Sequence, residues 1–505
     1  MFVFRPPRTF STLLIIAAIF AIGLSAASVR ADDAVTNQQM QQKIDQLEAQ
    51  VQALEARDAQ TNDVQTNADD AATFQKIQSA ADDQSKLMSV GIGMTGYDPD
   101  TGFNISSDDG NFLLHPWVLA QFRGAYNDRQ SVQTFDDGIY PGGGTTDPQT
   151  GSHEHDGFEI HHLMLGLDGH VVSPLLQYFF RIDVPSSGGT ETLQDAYATY
   201  RCSDTCEFGF KAGQFIDPVW HESNVDDGHL LAVDRTLVGA LLGGNTGLND
   251  DAERTQGVGV TYDRGCLHGE FDLTDGRDTA NTPFYDVSIN GVLPRQNFGM
   301  SARAEYKVMG DAAAWDGYNS LSAYGVKTDL LVLGGGFEWD EASNFDNIYL
   351  TIDGQYTTRS GLSIYCAALE DYADWSDNTG FAPQSTLNED AAGSYPNFGC
   401  IIQVGYRINP HLEPFVRYDL AVLNSRYAAI LAFGNSEPGG DARATANNHE
   451  FTAGVNYYLF GYRAKVCGDI SFLPNGSVID APGLDILANQ EHSEWVGRLQ
   501  FQLAI

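Results

Sequence analysis

The sequence predicts an all-β fold, a sixteen-stranded antiparallel transmembrane β-barrel, and three observations indicate it. From Asn111 to Ile505, apolar and polar residues alternate with period two, which places them on opposite faces of strands. The alternating segments are about ten residues long, which suits a strand that crosses a bilayer, whereas strands of soluble sandwiches are shorter. Short and long connections take turns along the chain, as they do in outer-membrane barrels.

Residues 1–31 are predicted to form a signal peptide. Arg5 and Arg8 precede an apolar run, Leu13–Leu24, and small residues up to Ala31 follow it, which is the order typical of secretory signals. The alternative is a retained membrane anchor, but the run is shorter than the roughly 20 residues that span a bilayer. We therefore expect export of the chain and removal of this segment.

Residues 32–58 are predicted to form a short periplasmic coiled-coil helix, and residues 59–110 a linker that leads into the barrel. Apolar side chains recur in the helix at spacings of four and three residues, which is a heptad pattern. Two heptads are marginal alone, so a single solvated helix stays open as the alternative to pairing with copies from sister subunits. The coiled-coil core would comprise Met40, Ile44, Leu47, Val51 and Leu54.

Residues 111–505 are predicted to form the barrel. Fifteen strands are clear in the pattern, and the alternation of short and long connections requires one more. We place this weak strand near 318–326, in the segment YNSLSAYGV. The last segment, WVGRLQFQLAI, carries an apolar face that ends at Ile505, and we expect it to pair with the first strand because a closed barrel leaves no free edge.

The formal net charge of −39 excludes nucleic acid as a partner, because its phosphate groups would be repelled. Six cysteines in 505 residues are too few for a disulfide scaffold. Cys202 and Cys206 are close enough in sequence to bridge across a hairpin turn, and a metal site is the alternative, although no second ligand pair lies near them. The motifs of serine hydrolases, zinc proteases and phosphate-binding loops do not occur, so we predict neither catalysis nor a cofactor or metal.

The polar faces of the predicted strands carry basic residues that could line a pore. One interpretation is a basic track for anions, because guanidinium groups hold phosphate and carboxylate well. The other, which we favour, is cross-strand ion pairing within the wall, because acidic residues match the basic ones almost one for one. The candidate pore-lining residues are Arg123, Arg303, Lys307, Arg407, Arg417, Arg463, Lys465 and Arg498.

Several segments are similar to a known family of channels. They include FLLHPWVLAQFRGAY, FEIHHLMLGLDGHV, LQDAYATY, FGFKAGQFIDP and RLQFQLAI, and they are spread along nearly all of the chain after Asn111. On these segments the chain resembles the phosphate-selective porin O and P family. The resemblance implies a homotrimer in the outer-membrane lipid of a bacterium with a two-membrane envelope. It also implies passive diffusion of small hydrophilic solutes and ions, and a loop near 216–255 that folds inward and narrows the pore.

The loop near 216–255 departs from what phosphate selectivity requires. Family members rely on arginines and lysines around the constriction, but this loop has eight acidic residues, two arginines and no lysine, and His161 and His162 stand where a basic pair is common. The acidic surplus predicts a weak cation preference. Two alternatives stay open: an anion-selective channel, and a structural anchor whose N-terminal helix contacts the cell wall. The candidate constriction residues are Asp226, Asp227, Asp234, Arg235, Asp250, Asp251 and Arg254.

Overall fold

The chain divides into two units, Met1–Met88 and Ser89–Ile505, and all the residues that the computed structural model describes belong to the second. The predicted signal peptide, the coiled-coil helix and its core residues lie outside the described residues, and they stay predictions. The described residues are 94–98, 102–129, 154–184, 191–242, 254–277, 279–281, 296–312, 314–342, 345–375, 393–433, 445–489 and 492–505.

Eighteen strands pair in one sheet within these described ranges. Their bounds are β1 Met94–Asp98, β2 Gly102–Ser106, β3 Leu113–Arg129, β4 Glu154–Val171, β5 Ser173–Asp183, β6 Thr192–Arg201, β7 Phe208–Ile216, β8 Arg254–Arg264, β9 Leu267–Thr274, β10 Gln296–Met309, β11 Leu330–Ala342, β12 Phe345–Thr357, β13 Leu362–Trp375, β14 Gly393–Tyr406, β15 Leu412–Val422, β16 Asn447–Tyr458, β17 Ala464–Leu473 and β18 Glu494–Ala504. From β3 onward each strand is antiparallel to the next, and β18 pairs with β3. Sixteen strands therefore close into a barrel, and the predicted fold class is confirmed.

The seam between β3 and β18 is paired along the whole of β18. Glu494 lies opposite Arg129 at one end, and Ala504 lies opposite Leu119 at the other. Ile505 then exchanges two backbone hydrogen bonds with Val118, with N···O distances of 2.9 and 3.0 Å. The apolar C-terminal segment is thus the closing strand of the barrel.

The outward faces of the barrel are apolar, and most of the inward faces are polar. On β18 the outward side chains of Trp495 and Leu499 are 49% and 62% exposed, whereas the inward side chains of Arg498 and Gln500 are 4% and 2% exposed. The period-two alternation of the sequence sets this arrangement, because successive strand residues point to opposite faces. The inward side chains are buried because a long loop fills part of the lumen.

Short additional elements accompany the barrel. The hairpin of β1 and β2 joins it where β2 pairs with β3 at two positions, and Tyr97 of β1 accepts a hydrogen bond of 2.8 Å from Arg463. No helix in the described part of the chain is long and apolar enough to cross a membrane. The helices in this part are α1 His221–Asn224, α2 Leu237–Leu242, α3 Ala314–Tyr318 and α4 Ser425–Phe433.

The two ends of the barrel differ in their connections. At the turn end, where β4 meets β5, β8 meets β9 and β16 meets β17, most connections are short, and at the opposite loop end most are long. Two connections reverse this rule: the chain from Met309 to Leu330 is long at the turn end, and only two residues separate Ala342 from Phe345 at the loop end. The strands predicted from the sequence require short and long connections to alternate strictly, so the prediction is wrong between β10 and β14, where they do not.

The predicted weak strand near 318–326 is wrong, and the sixteenth strand is β13. The segment 318–326 begins at Tyr318, the last residue of α3, and enters the barrel interior, where Leu321 is 2% exposed. The inward side chains of β13 include Tyr365 and Leu369, which are apolar like several of its outward side chains. The alternation is therefore weak on this strand, because its inward face packs against the apolar loop instead of facing water.

An apolar cluster inside the barrel joins the long loop between β7 and β8 to the wall formed by β12–β18. Two glycines of β14 allow the loop to lie close to the wall, because a side chain at either position would clash with it. A Cβ at Gly399 would lie 2.5 Å from Val238 Cγ1, and a Cβ at Gly405 would lie 2.9 Å from Leu231 Cδ2. The buried members include Leu231, Val233, Leu237, Val238 and Leu242 of the loop, with Tyr365, Leu369, Phe415, Cys467 and Val496 of the wall.

Candidate functional site

The long loop enters the lumen through residues 217–242. Asp217 accepts a hydrogen bond of 3.0 Å from the Val219 N–H, which turns the chain inward from β7. After α1, Asp226 accepts a hydrogen bond of 2.9 Å from the Gly228 N–H and begins a short 3₁₀ turn. Side-chain acceptors of this kind satisfy backbone groups in a segment that lacks a regular ladder. The loop continues to α2, which packs on β14 and β15.

Inward side chains of the wall hold the backbone of this loop. Lys465 donates a hydrogen bond of 3.0 Å to the Leu230 carbonyl, and Asp469 accepts one of 3.0 Å from the Val233 N–H. Buried backbone groups need such partners, because leaving them unpaired is costly. Further contacts of the same kind come from Asn456, Arg417, Glu450 and Arg303.

Asp234 is the ionic centre of the loop. Its carboxylate lies 2.8 Å from Arg123 Nη1, 3.2 Å from His161 Nε2 and 3.6 Å from Arg498 Nη1. Burial alone would raise the pKa of Asp234, but the charges of Arg123 and the other two partners outweigh it and hold the pKa well below 3.8. Asp234 is therefore ionised at neutral pH and binds the loop to both β3 and β18.

Most of the eight predicted pore-lining residues contact the loop or neighbouring acids. Arg498 lies 2.8 Å from Asp469, and Arg303 lies 2.8 Å from Asp353. Arg123 binds Asp234, Arg417 pairs with Glu450 at 3.3 Å, and Lys465 binds the loop. Lys307 contacts the Asp311 carbonyl, and Arg407 lies over the Tyr324 ring. Arg463 lines an open cavity. The structure thus places one member of this set, Arg463, on open space.

Two neighbouring acids among the predicted constriction residues, Asp226 and Asp227, have different partners. Asp227 pairs with Arg235 within the loop at 2.8 Å. Asp226 instead faces Arg181 of β5, with 3.6 Å between Oδ2 and Nη1, and its side chain is 39% exposed. The residues of this set that lie outside the described part of the chain are Asp250 and Asp251.

The opposite wall carries a charged row. Among its members the sequence predicted Arg254, as a constriction residue of the loop, and left the others out. Arg181 lies 2.6 Å from Asp195, and Arg254, at the start of β8, lies 3.4 Å from the same carboxylate. Lys211 of β7 pairs with Glu270 of β9. All of these side chains point inward, so the period-two pattern on β5–β9 contained the signal that would have identified them.

A bulge in β4 turns two consecutive histidines into the lumen. The register with β3 shifts between Gln121 and Phe122, and His161 is the additional residue. His161 and His162 are each 6% exposed, and their ring centroids lie 4.2 Å apart. His162 Nδ1 lies 2.6 Å from Asp183. Bulges redirect side chains in this way, which strict alternation does not anticipate.

The remaining candidates concern thiols and metals. The structure joins Cys202 and Cys206 by a disulfide across the turn between β6 and β7, with 5.9 Å between the Cα atoms. Within the described ranges, no three or more His, Cys, Asp or Glu side chains are grouped so as to hold a metal ion.

A cavity of about 1040 Å³ lies at the turn end, between the inward loop and the wall formed by β3–β9. Its lining combines both signs of charge with aromatic rings. The charged members are Asp168, Arg181, Asp195, Lys211, Asp226, Glu270 and Arg463, and the aromatic members of the wall are Trp117, Phe179, Tyr197 and Phe215. This lining can contact an ion or a small polar solute from several sides.

No protein-family model matches the chain, and no curated protein matches its sequence. Among solved structures, it is similar to an anion-selective porin from Comamonas acidovorans, with a TM-score of 0.51 and 10% identity over 78% of this chain and 99% of that chain. It is also similar to Salmonella typhi OmpF in complex with daunomycin, with a TM-score of 0.48 and 13% identity over 81% and 100% of the two chains. A third similar structure is the outer-membrane channel DcaP of Acinetobacter baumannii, with a TM-score of 0.47 and 11% identity over 79% of this chain and 99% of that chain. The first likeness shows the fold alone, and the fold is that of a porin barrel.

Proposed function

We propose that the chain is an outer-membrane channel for passive diffusion of small hydrophilic solutes and ions. The observation that carries the proposal is the combination of a closed barrel, an apolar exterior and an internal cavity lined by charged and aromatic side chains. A closed barrel satisfies all backbone groups of its strands internally, which is the condition for crossing a bilayer with strands.

The exterior supports a lipid environment. Phe158, Ile352 and Leu499 are 82%, 69% and 62% exposed, and they point outward from different strands. Each large apolar side chain gains about 1.5–3 kcal/mol when it leaves water, so a continuous band of them favours contact with lipid. We therefore place the barrel in the outer membrane.

The interior argues against a phosphate-selective pathway. Arg123, Arg417 and Arg498 are bound to carboxylates and to the loop, so they do not form a row of accessible cations along the cavity. Asp226, by contrast, is partly exposed at the cavity. An accessible carboxylate in the lumen raises the local cation concentration, which supports the weak cation preference.

Membership of the phosphate-selective porin O and P family and assembly as a homotrimer belong to the same proposal. They are supported by the sequence segments similar to that family, which are spread along the barrel from its first strand to its last. Analytical ultracentrifugation of the folded protein in detergent measures the oligomeric state. A monomer at all concentrations would contradict the trimer and leave the channel proposal intact.

Planar-bilayer recording of the purified, folded protein tests the channel. We expect discrete conductance steps and, in a tenfold KCl gradient, a small reversal potential of cation-selective sign. Silence from folded protein would contradict the channel. A reversal potential of anion-selective sign, or current blocked by millimolar phosphate, would restore the anion-selective alternative.

A further inference from the structure

Three aromatic rings form a platform on the inward wall of the cavity. Trp117 of β3, Phe179 of β5 and Tyr197 of β6 follow one another, with centroid distances of 6.1 Å and 5.5 Å. The planes of neighbouring rings differ by 37° and 23°, so their faces form a nearly continuous apolar surface. We call these three residues the aromatic platform. These rings face the lumen and not the membrane, so contact with lipid does not explain their presence.

The wall is built to hold this platform. Gly166 of β4 lies opposite Trp117 between the strands of the first two rings, and a Cβ at Gly166 would overlap the Trp117 indole. The glycine therefore allows the indole to lie flat across β4 towards Phe179. Phe215 of β7 ends the row, because its plane stands at 86° to that of Tyr197 and Lys211 covers its face at 3.6 Å.

The charges around the platform are balanced. Arg181 lies 5.9 Å from the Phe179 centroid and is paired with Asp195, and Lys211 is paired with Glu270. Asp168 lies 2.8 Å from His115 Nδ1 and Asp226 lies 3.6 Å from Arg181 Nη1, and both carboxylates are still partly exposed beside the rings, at 38% and 39%. Such a site offers an apolar face and hydrogen-bond acceptors without a strong net field, so it fits a neutral solute better than an ion.

We propose that the aromatic platform binds neutral sugars in ring form, such as a hexose or a short chain of hexoses, as they pass through the lumen. This proposal rests on the proposed channel function and names its solute class. The C–H face of a pyranose ring is apolar and flat enough to lie on aromatic faces, while its hydroxyls donate hydrogen bonds to carboxylates. The cavity of about 1040 Å³ is at the upper end of the volume of small-molecule sites, about 300–1,000 Å³, and therefore admits such a ring.

Block of the ion current by solutes tests the proposal. D-glucose and maltose are added to the bilayer chamber and compared with sorbitol, which carries hydroxyls on an open chain and lacks a rigid ring face. We expect the two sugars to reduce the current saturably at millimolar concentration, and at least tenfold less effect from sorbitol. Equal block by glucose and sorbitol would overturn the proposal.

Two variants locate the effect on the platform. Phe179→Ala removes the central ring and Gly166→Ala displaces the Trp117 indole, and each is expected to weaken the sugar block at least fivefold. Phe180→Ala is the matched control, because Phe180 is adjacent in sequence but points outward and is 38% exposed. Unchanged block in both platform variants would overturn the proposal.

Saturation-transfer NMR on the folded protein in detergent separates this proposal from the channel itself, since it measures binding without conduction. When the aromatic protons of the protein are irradiated, we expect saturation to be transferred to the axial ring protons of glucose and not to the protons of sorbitol. Conductance steps with no such transfer would overturn only the sugar proposal. Transfer without conductance steps would contradict the channel and leave a sugar-binding barrel.

Discussion

Arg123 on the first barrel strand and Asp234 in the inward loop form an ion pair of 2.8 Å, although they are 111 residues apart in sequence. Arg498, on the last strand, approaches the same carboxylate at 3.6 Å. The loop is therefore held by charges that belong to both sides of the seam. Removing one member of such a buried group leaves the others without their counter-charge, which costs about 3–5 kcal/mol.

Asp234→Asn is expected to release the loop from the wall. The variant should show a larger and noisier single-channel conductance than the parent protein, because the loop no longer stays against β3 and β18. The control is Glu207→Gln, which neutralises an acid that pairs with Arg264 at the surface. A parental conductance in Asp234→Asn would contradict the role of the ion pair.

The close approach of loop and wall at Gly399 gives a second prediction. Gly399→Ala puts a Cβ 2.5 Å from Val238 Cγ1, and overpacking of this kind destabilises by about 1–3 kcal/mol. We expect faster hydrogen exchange in residues 230–242, measured by mass spectrometry. Gly497→Ala serves as the control, since a Cβ there meets nothing within 4 Å. Equal exchange in both variants would argue against this packing.

His221 predicts a pH dependence of loop docking. Burial, together with the charge of Arg303, lowers the pKa of His221 to about 4 from 6.5, and its Nε2 lies 2.9 Å from Gln355 Oε1. The imidazole of His221 binds a proton more tightly in the unfolded chain than in the folded one. The contribution of neutral, buried His221 to the free energy of unfolding is therefore complete above pH 6.5 and is lost as the pH falls towards 4. The loss amounts to about 3 kcal/mol at most, at roughly 1.4 kcal/mol per pKa unit.

Urea unfolding, followed by the gel mobility of the folded barrel, measures this effect at pH 7.5 and pH 4.5. The urea midpoint should fall at the lower pH, and His221→Gln should reduce the difference between the two. His170→Gln is the control, because His170 is half-buried on β4 and its Nε2 lies 2.9 Å from the carbonyl oxygen of Gly110, which is not part of the loop. The same pH difference in parent and His221→Gln would refute the assignment.

Asp226 gives a prediction about ions. Its carboxylate lines the cavity and is partly exposed, so Asp226→Asn should move the reversal potential towards zero or the anion-selective side. The change should be larger in 0.1 M than in 1 M salt, because the Debye length falls from about 10 Å to about 3 Å. Glu207→Gln removes an acid that pairs with Arg264 at the surface, and it should change nothing.

Periodicity alone predicted much of the barrel. Outward residues of a strand face lipid and inward residues face polar groups, so apolar and polar residues alternate along the sequence. The prediction failed at β13, where Tyr365 and Leu369 face the apolar loop and both faces of the strand look alike. It also assumed that every turn-end connection is short, which Met309–Leu330 contradicts. The failures occur where the interior resembles the core of a soluble protein.

The candidate site was less predictable than the barrel. The sequence identifies Arg417 and Arg498 as inward-facing, but it does not reveal that a loop far away in sequence binds them. The platform rings Trp117 and Phe179 have the inward parity of their strands, yet a parity pattern does not tell a packed residue from one that lines open space. That distinction depends on where the loop lies, which is a tertiary property.

The position of Asp234 at the seam has a consequence for how the molecule assembles. β3 and β18 are the first and last strands of the barrel, and they meet only when the cylinder is complete. Arg123 and Arg498 come together around one carboxylate only at that moment. Sealing of the cylinder and capture of the loop therefore stabilise each other, and a cylinder sealed without the loop would leave Arg123 without its nearest carboxylate.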